Sequence, residues 1–150
     1  MGSMSDHYDL DRANAMLPEL RERLERLRLL RREVVALRDG ITALRPEPVL
    51  GAAATGGSTA PAGLTPEVEA EALRLRMRLQ GLIDQIQAAV LEINELDIEL
   101  RDIEKGLVDF PALVAGRPIW LCWCLGEESV GWWHDFDKGF RARRRIEDLD

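Results

Sequence analysis

Residues 66 to 107 carry the feature that most restricts what this chain can become. Leu75, Leu79, Leu82, Ile86, Ala89, Ile93, Leu96, Leu100, Ile103 and Leu107 recur in steps of four and three without a break. That spacing keeps one side of an α-helix apolar and is the signature of a coiled-coil seam. Ile83, Val90 and Ile98 widen the stripe beyond a narrow two-helix contact. Thr65 suits the N-cap and Pro66 the first helical position, with Glu67, Glu69 and Glu71 placed where the helix dipole favours acids. Gly106 is a natural stop. The seam predicts one helix over 66–107.

A partner for that stripe lies upstream. Leu20, Leu27, Val34 and Ile41 recur every seven residues, and Leu30, Leu37 and Leu44 do so on a neighbouring row. This predicts a second helix over 18–45, ended by Pro46 and Pro48. Asp9 is placed to cap a short helix over 10–17, with a kink or restart at Pro18. Residues 46–65 are rich in Pro, Gly, Ala, Ser and Thr, the composition of a flexible loop. The first arm, 10–45, has nine arginines against six acids, and the second, 66–109, has eleven acids against five bases. Opposite fields favour pairing the two arms. At 1.5 Å per residue the helices would be about 42 Å and about 58 Å long. The longer one would overhang around Leu96 to Leu107, and both chain ends would dock there.

After Gly106 the pattern changes. Asp109-Phe110-Pro111 breaks the helix and Gly116 marks a turn. Ile119–Leu125 and Val130–His134 alternate as two short strands joined through Gly126-Glu127-Glu128-Ser129, a β-hairpin. Trp120, Cys122 and Cys124 fall on one face and Ile119, Leu121, Trp123 and Leu125 on the other. Trp132 and His134 share a face, with Trp133 opposite. All four tryptophans lie in this stretch. The expected architecture is therefore mainly α: a long antiparallel helical hairpin, a short N-terminal helix, and a small C-terminal β-hairpin module packed at one pole. A chain of 150 residues suits a single domain. Met1-Gly2-Ser3 reads as an expression remnant, and residues 1–7 are left out of the fold.

The strings Gly106-Leu107-Val108-Asp109-Phe110-Pro111-Ala112, Leu121-Cys122-Trp123, Gly126-Glu127, Trp133-His134, Gly139-Phe140 and Arg143 together resemble a bacterial family, domain of unknown function 2203. Ala13-Asn14-Ala15-Met16-Leu17-Pro18 is similar to the start of that family. The resemblance covers nearly the whole chain apart from the loop. It brings no activity, cofactor or partner with it. Cys124 stands where the family leads one to expect a basic residue, so a working Cys122/Cys124 pair would be peculiar to this chain.

Composition narrows the function classes. The net charge is −7, which disfavours nucleic acid as a partner of the whole chain. No apolar run of about 18 residues could span a membrane and no signal peptide is evident, so the expected location is cytoplasmic. No phosphate loop, nucleophile elbow or metalloprotease helix is present. The leading expectation is a non-catalytic interaction or scaffold protein that self-associates through its helices, with a homodimer or another protein as partner.

One other chemistry competes. His134 is the single histidine of the C-terminal module, with Asp109, Glu127, Asp135 and Asp137 near it in sequence. A histidine with carboxylates suits a divalent transition metal, through Asp109, Glu127, His134 and Asp137, or acid–base catalysis by His134. The plainer alternative is a histidine that caps a strand end, since catalytic zinc sites usually take three protein ligands. Cys122 and Cys124 could be soft ligands or simply small buried residues. Trp123, Trp132, Trp133 and Arg143 are candidates for holding a flat or anionic ligand, although tryptophans clustered in a small module are more often core. The run Arg141–Arg145 could contact phosphate, but acids follow it directly.

Overall fold

The computed structural model describes residues 7–44 and 65–149. The predicted loop 46–65 lies outside the described residues except for Thr65. Two helices, α1 (Leu10–Leu44) and α2 (Pro66–Glu95), are followed by five strands: β1 (Glu99–Asp102), β2 (Leu107–Val114), β3 (Arg117–Cys124), β4 (Trp132–Asp135) and β5 (Arg144–Arg145). The strands form one antiparallel sheet in the order β1-β2-β3-β4-β5. The fold is thus a mixture of helices and a five-stranded meander. This corrects the mainly α expectation with its small two-stranded cap.

The correction has a local cause. α2 stops at Glu95, twelve residues before the end of the apolar seam. The Leu96 amide donates to the Ile93 carbonyl and the Asp97 amide to the Asn94 carbonyl, tight closing bonds that end the helix. Asp97 then adopts φ +63°, a left-handed conformation that Asp tolerates better than most residues. Beyond it, Leu96, Ile98 and Leu100 alternate with Asp97, Glu99 and Arg101. The same residues satisfy a period of 3.5 and a period of 2, and the extended form wins because Ile98 is fully buried there. The predicted overhang disappears: α1 has 35 residues and α2 has 30.

α1 differs in the opposite sense, since it runs unbroken through Pro18. Asp9 caps it as expected, its Oδ1 accepting from the Arg12 amide at 2.7 Å. Pro18 is exposed, while Ala13, Leu17, Leu20, Leu24 and Leu27 are buried on both sides of it. Packing along that face outweighs the hydrogen bond the proline cannot make. Thr65 caps α2 through its Oγ1 to the Val68 amide at 3.1 Å.

The described chain divides into two compact units, Met1–Arg31 with Ile86–Asp150, and Arg32–Gln85. The first holds the sheet and a continuous core. One sheet face contributes Val108, Phe110, Ala112, Ile119, Leu121, Trp123 and Trp133, which pack with Leu17, Leu20, Leu24, Leu27 and Ile93. The N-terminal segment joins this unit: the Tyr8 amide donates to the Pro111 carbonyl at 2.6 Å and the Tyr8 hydroxyl to the Leu96 carbonyl at 2.5 Å. β1 pairs only with Leu107–Asp109, so Pro111 sits where β2 needs no further donor on that side. Gly106 turns β1 into β2 at φ +63°, and a Cβ there would lie 2.4 Å from the Leu125 Cβ. Only glycine meets both conditions. In the second unit, Val34 and Leu82 are the buried apolar residues among those described. No helix among the described residues is long and apolar enough to cross a membrane.

Candidate metal centre

Strand alternation puts a different set of residues on the sheet face away from that core. Register places Asp109 across from Cys122, Cys122 across from Trp132, and Trp120 across from His134. Side chains directly opposite on one face are neighbours. Asp109, Cys122 and His134 therefore meet on three adjacent strands. All three are buried, and one donor atom from each lies within 4.8 Å of the others.

The polar contacts of the cluster are specific. Asp109 Oδ2 accepts from Arg101 Nε at 3.0 Å and lies 3.0 Å from His134 Nε2. His134 Nδ1 lies 2.9 Å from the Asp135 carbonyl oxygen. Both ring nitrogens thus face oxygen atoms. Asp109 Oδ1 is buried and has no hydrogen-bond partner. A buried oxygen left without a partner carries a desolvation cost of about 1–3 kcal/mol. Burial first, and the Asp109 charge second, push the Cys122 thiol up to about 12. Cys122 is therefore not an activated nucleophile, and His134 has no free nitrogen to deprotonate it.

Arginine and aromatic side chains border the cluster. Arg143 pairs with Glu127 at 3.1 Å and brings Nη1 to 3.9 Å from Cys122 Sγ. Its guanidinium lies 4.4 Å from the ring centres of both Trp132 and Phe140. Burial opposes its charge, but the hydrogen bond and charge of Glu127 outweigh that and raise its pKa. Glu127 Oε1 also accepts from the Cys124 amide at 2.8 Å. Arg101 stacks over Trp120 at 4.9 Å, and Trp120 stacks on Phe136 at 4.6 Å with nearly parallel planes.

The structure sorts the residues expected from sequence. Asp109 and His134 come together as part of the cluster. Glu127 belongs to the Arg143 pair rather than to the three clustered donors, and Asp137 is exposed in the turn after β4. Trp132 and Arg143 stack beside the cluster. Trp123 and Trp133 lie in the core on the opposite face, Trp123 donating its Nε1–H to the Glu127 carbonyl at 3.0 Å. Arg101 escapes the sequence reading, and Cys122 enters it only as a soft ligand beside Cys124. Arg101 was assigned to a helix, and only the short alternation from Leu96 to Arg101 signalled its strand. Cys122 was weighed with Cys124 rather than with Asp109, because β2 was not recognised and the cross-strand register was hidden.

The profile of an uncharacterised conserved protein family, DUF2203, matches residues 7–146. The chain belongs to that family. The match takes in all three clustered residues, both bordering arginines and both helices. Neither a curated protein nor a solved structure matches the chain. This member of DUF2203 must accordingly be read from its own chemistry.

Proposed function

We propose that this DUF2203 protein binds one divalent transition-metal ion, Zn²⁺ foremost, through Asp109, Cys122 and His134. The observation that carries the reading is a buried oxygen, sulfur and nitrogen donor gathered within 4.8 Å, with Asp109 Oδ1 lacking any other partner. A mixed set of this kind suits borderline ions. Three protein ligands leave one tetrahedral position for water or a bound molecule. Arg101 holds the other carboxylate oxygen and fixes the orientation of Asp109, as second partners of metal ligands do.

The ion displaces the proton of the Cys122 thiol, so binding tightens as pH rises, by about tenfold per unit for that proton. The test is elemental analysis of protein purified without chelator, beside the variants His134→Ala and Cys122→Ser. About one equivalent of metal in the parent and none in the variants supports the reading. Metal-free parent protein that also fails to take up added Zn²⁺ overturns it.

A second reading, an interaction module that self-associates through its helices, is favoured by a separate observation. Leu29, Leu73, Met77 and Leu91 are each more than half exposed on helix surfaces. Sedimentation that shows a monomer at all accessible concentrations would remove it. The nucleic-acid alternative gains nothing from the arginine run, in which Arg143 is committed to Glu127 and Arg144 and Arg145 stack over Trp133 and Trp132.

A further inference from the structure

The outer side of α2 carries an apolar stripe that the described chain leaves uncovered. Ala70, Leu73 and Met77 follow one another at steps of three and four and are all exposed, Leu73 by 56% and Met77 by 67%. The residues that α2 turns inward in the same stretch, Leu75, Leu79 and Leu82, lie on the opposite side of the helix. An exposed methionine and leucine in register are a usual contact surface.

The charges beside the stripe identify its occupant. Glu67, Glu69 and Glu71 precede Leu73, and Arg74, Arg76 and Arg78 follow it. The two sets are mirror images about the point between Ala72 and Leu73. A second α2 laid antiparallel on the first, with its two-fold axis at that point, brings Glu67 opposite Arg78, Glu69 opposite Arg76 and Glu71 opposite Arg74. In helical projection Glu69 and Arg76 border one side of the stripe, while Glu67, Arg78, Glu71 and Arg74 border the other. Antiparallel pairing sets like flanks together, so every flank pair is of opposite sign. A parallel arrangement would stack acid on acid and base on base. Glu71 and Arg74 already pair within the helix. Glu67, Glu69, Arg76 and Arg78 have no ion-pair partner among the described residues.

We infer that two copies of this chain associate through an antiparallel α2–α2 contact centred between Ala72 and Leu73. The inference rests on the self-association reading above and gives it a surface, a register and a two-fold axis. Along the seam the order is Met77 of the second copy, Ala70, Leu73 of the second copy, then Leu73, Ala70 of the second copy and Met77. Such a contact is isologous, with each side chain meeting its own symmetry mate or a fixed counterpart. Its apolar part is short, so the dimer forms reversibly and depends on concentration.

The test combines sedimentation with directed cross-linking on the full chain. In a Cys124→Ser background, Leu73→Cys is next to its counterpart across the axis and forms a disulfide-linked dimer on mild oxidation. Gln80→Cys, two turns from the axis, does not. Glu69→Arg and Arg76→Glu each weaken the dimer about tenfold, and the double exchange restores it to within about twofold. High salt weakens the parent and leaves the apolar seam as the residual attraction. If the parent dimerises while Leu73→Cys links no faster than Gln80→Cys and the charge exchanges have no effect, this surface is wrong and self-association uses another. If the parent is monomeric throughout, both this inference and the reading it rests on fail.

Discussion

The two compact units differ in what they do with apolar residues. In the sheet-bearing unit Leu20, Leu24, Leu27, Ile93, Phe110, Ile119 and Trp123 are fully buried, and the polar cluster on the other sheet face is buried as well. In the Arg32–Gln85 unit only Val34 and Leu82 among the described apolar residues are buried, neither of them completely, while Leu73 and Met77 stand out in solvent. Two helices cannot surround a core, whereas a sheet with a helical layer encloses one face completely. The first unit holds the continuous core and a shielded, donor-rich polar cluster. The second leaves apolar side chains exposed.

Truncating the two units' side chains tests that division most strongly. Phe110→Ala should destabilise the protein by about 4 kcal/mol in denaturant unfolding. Met77→Ala should change stability by no more than about 0.5 kcal/mol at concentrations where the chain is monomeric. Comparable costs at the two positions would erase the distinction. The alkaline limb of the metal-free protein sharpens it next. Burial holds the folded Cys122 thiol at about 12, above the ordinary thiol value of 9.0. The protonated thiol is the form the fold favours, so this contribution is complete below pH 9 and is lost as pH rises toward 12. The slope reaches about 1.4 kcal/mol per pH unit, and Cys122→Ala should remove it from the stability–pH curve.

Gly106→Ala should cost about 3 kcal/mol, because the new Cβ meets Leu125 and the residue must hold a positive φ. Gly81→Ala in the other unit meets nothing within 4 Å and should stabilise α2 slightly, by under about 1 kcal/mol. Thermal unfolding of the two variants gives opposite shifts if the account holds. Leu82→Ala lies between these extremes, at about 2 kcal/mol, since Leu82 is buried in a thinly packed region.

Much of the helical start was legible from chemistry that acts locally. Asp9 caps α1, Thr65 caps α2, and Pro66 opens it, as their side chains dictate. The alternation in β3 and β4 also sorted residues correctly into two faces, Trp123 apart from Cys122 and Trp133 apart from Trp132 and His134, but did not say which face is the core. What failed was long-range. The seam from Leu75 to Leu107 fits a helix throughout, and nothing local announces that residues after Glu95 gain more by pairing with β2. Pro111 reads as a breaker because its place in β2, beyond the end of β1 and beside the Tyr8 segment, depends on pairing with distant residues. With β1 and β2 unseen, Arg101 had no route to Asp109, and Cys122 had no route to either. His134 and Asp109 were both singled out from sequence, but the donor that completes the cluster required the register.

The central claim is that Asp109, Cys122 and His134 together hold a divalent ion. Titration of the metal-free protein with Co²⁺, followed by absorption, reads it most directly, because thiolate ligation adds a charge-transfer band and four-coordination intensifies the visible bands. The account predicts saturation at about one equivalent, with the thiolate band absent in Cys122→Ser and no specific uptake in His134→Ala. A spectrum that stays that of the hexa-aquo ion throughout the titration, or a thiolate band that persists in Cys122→Ser, would contradict it.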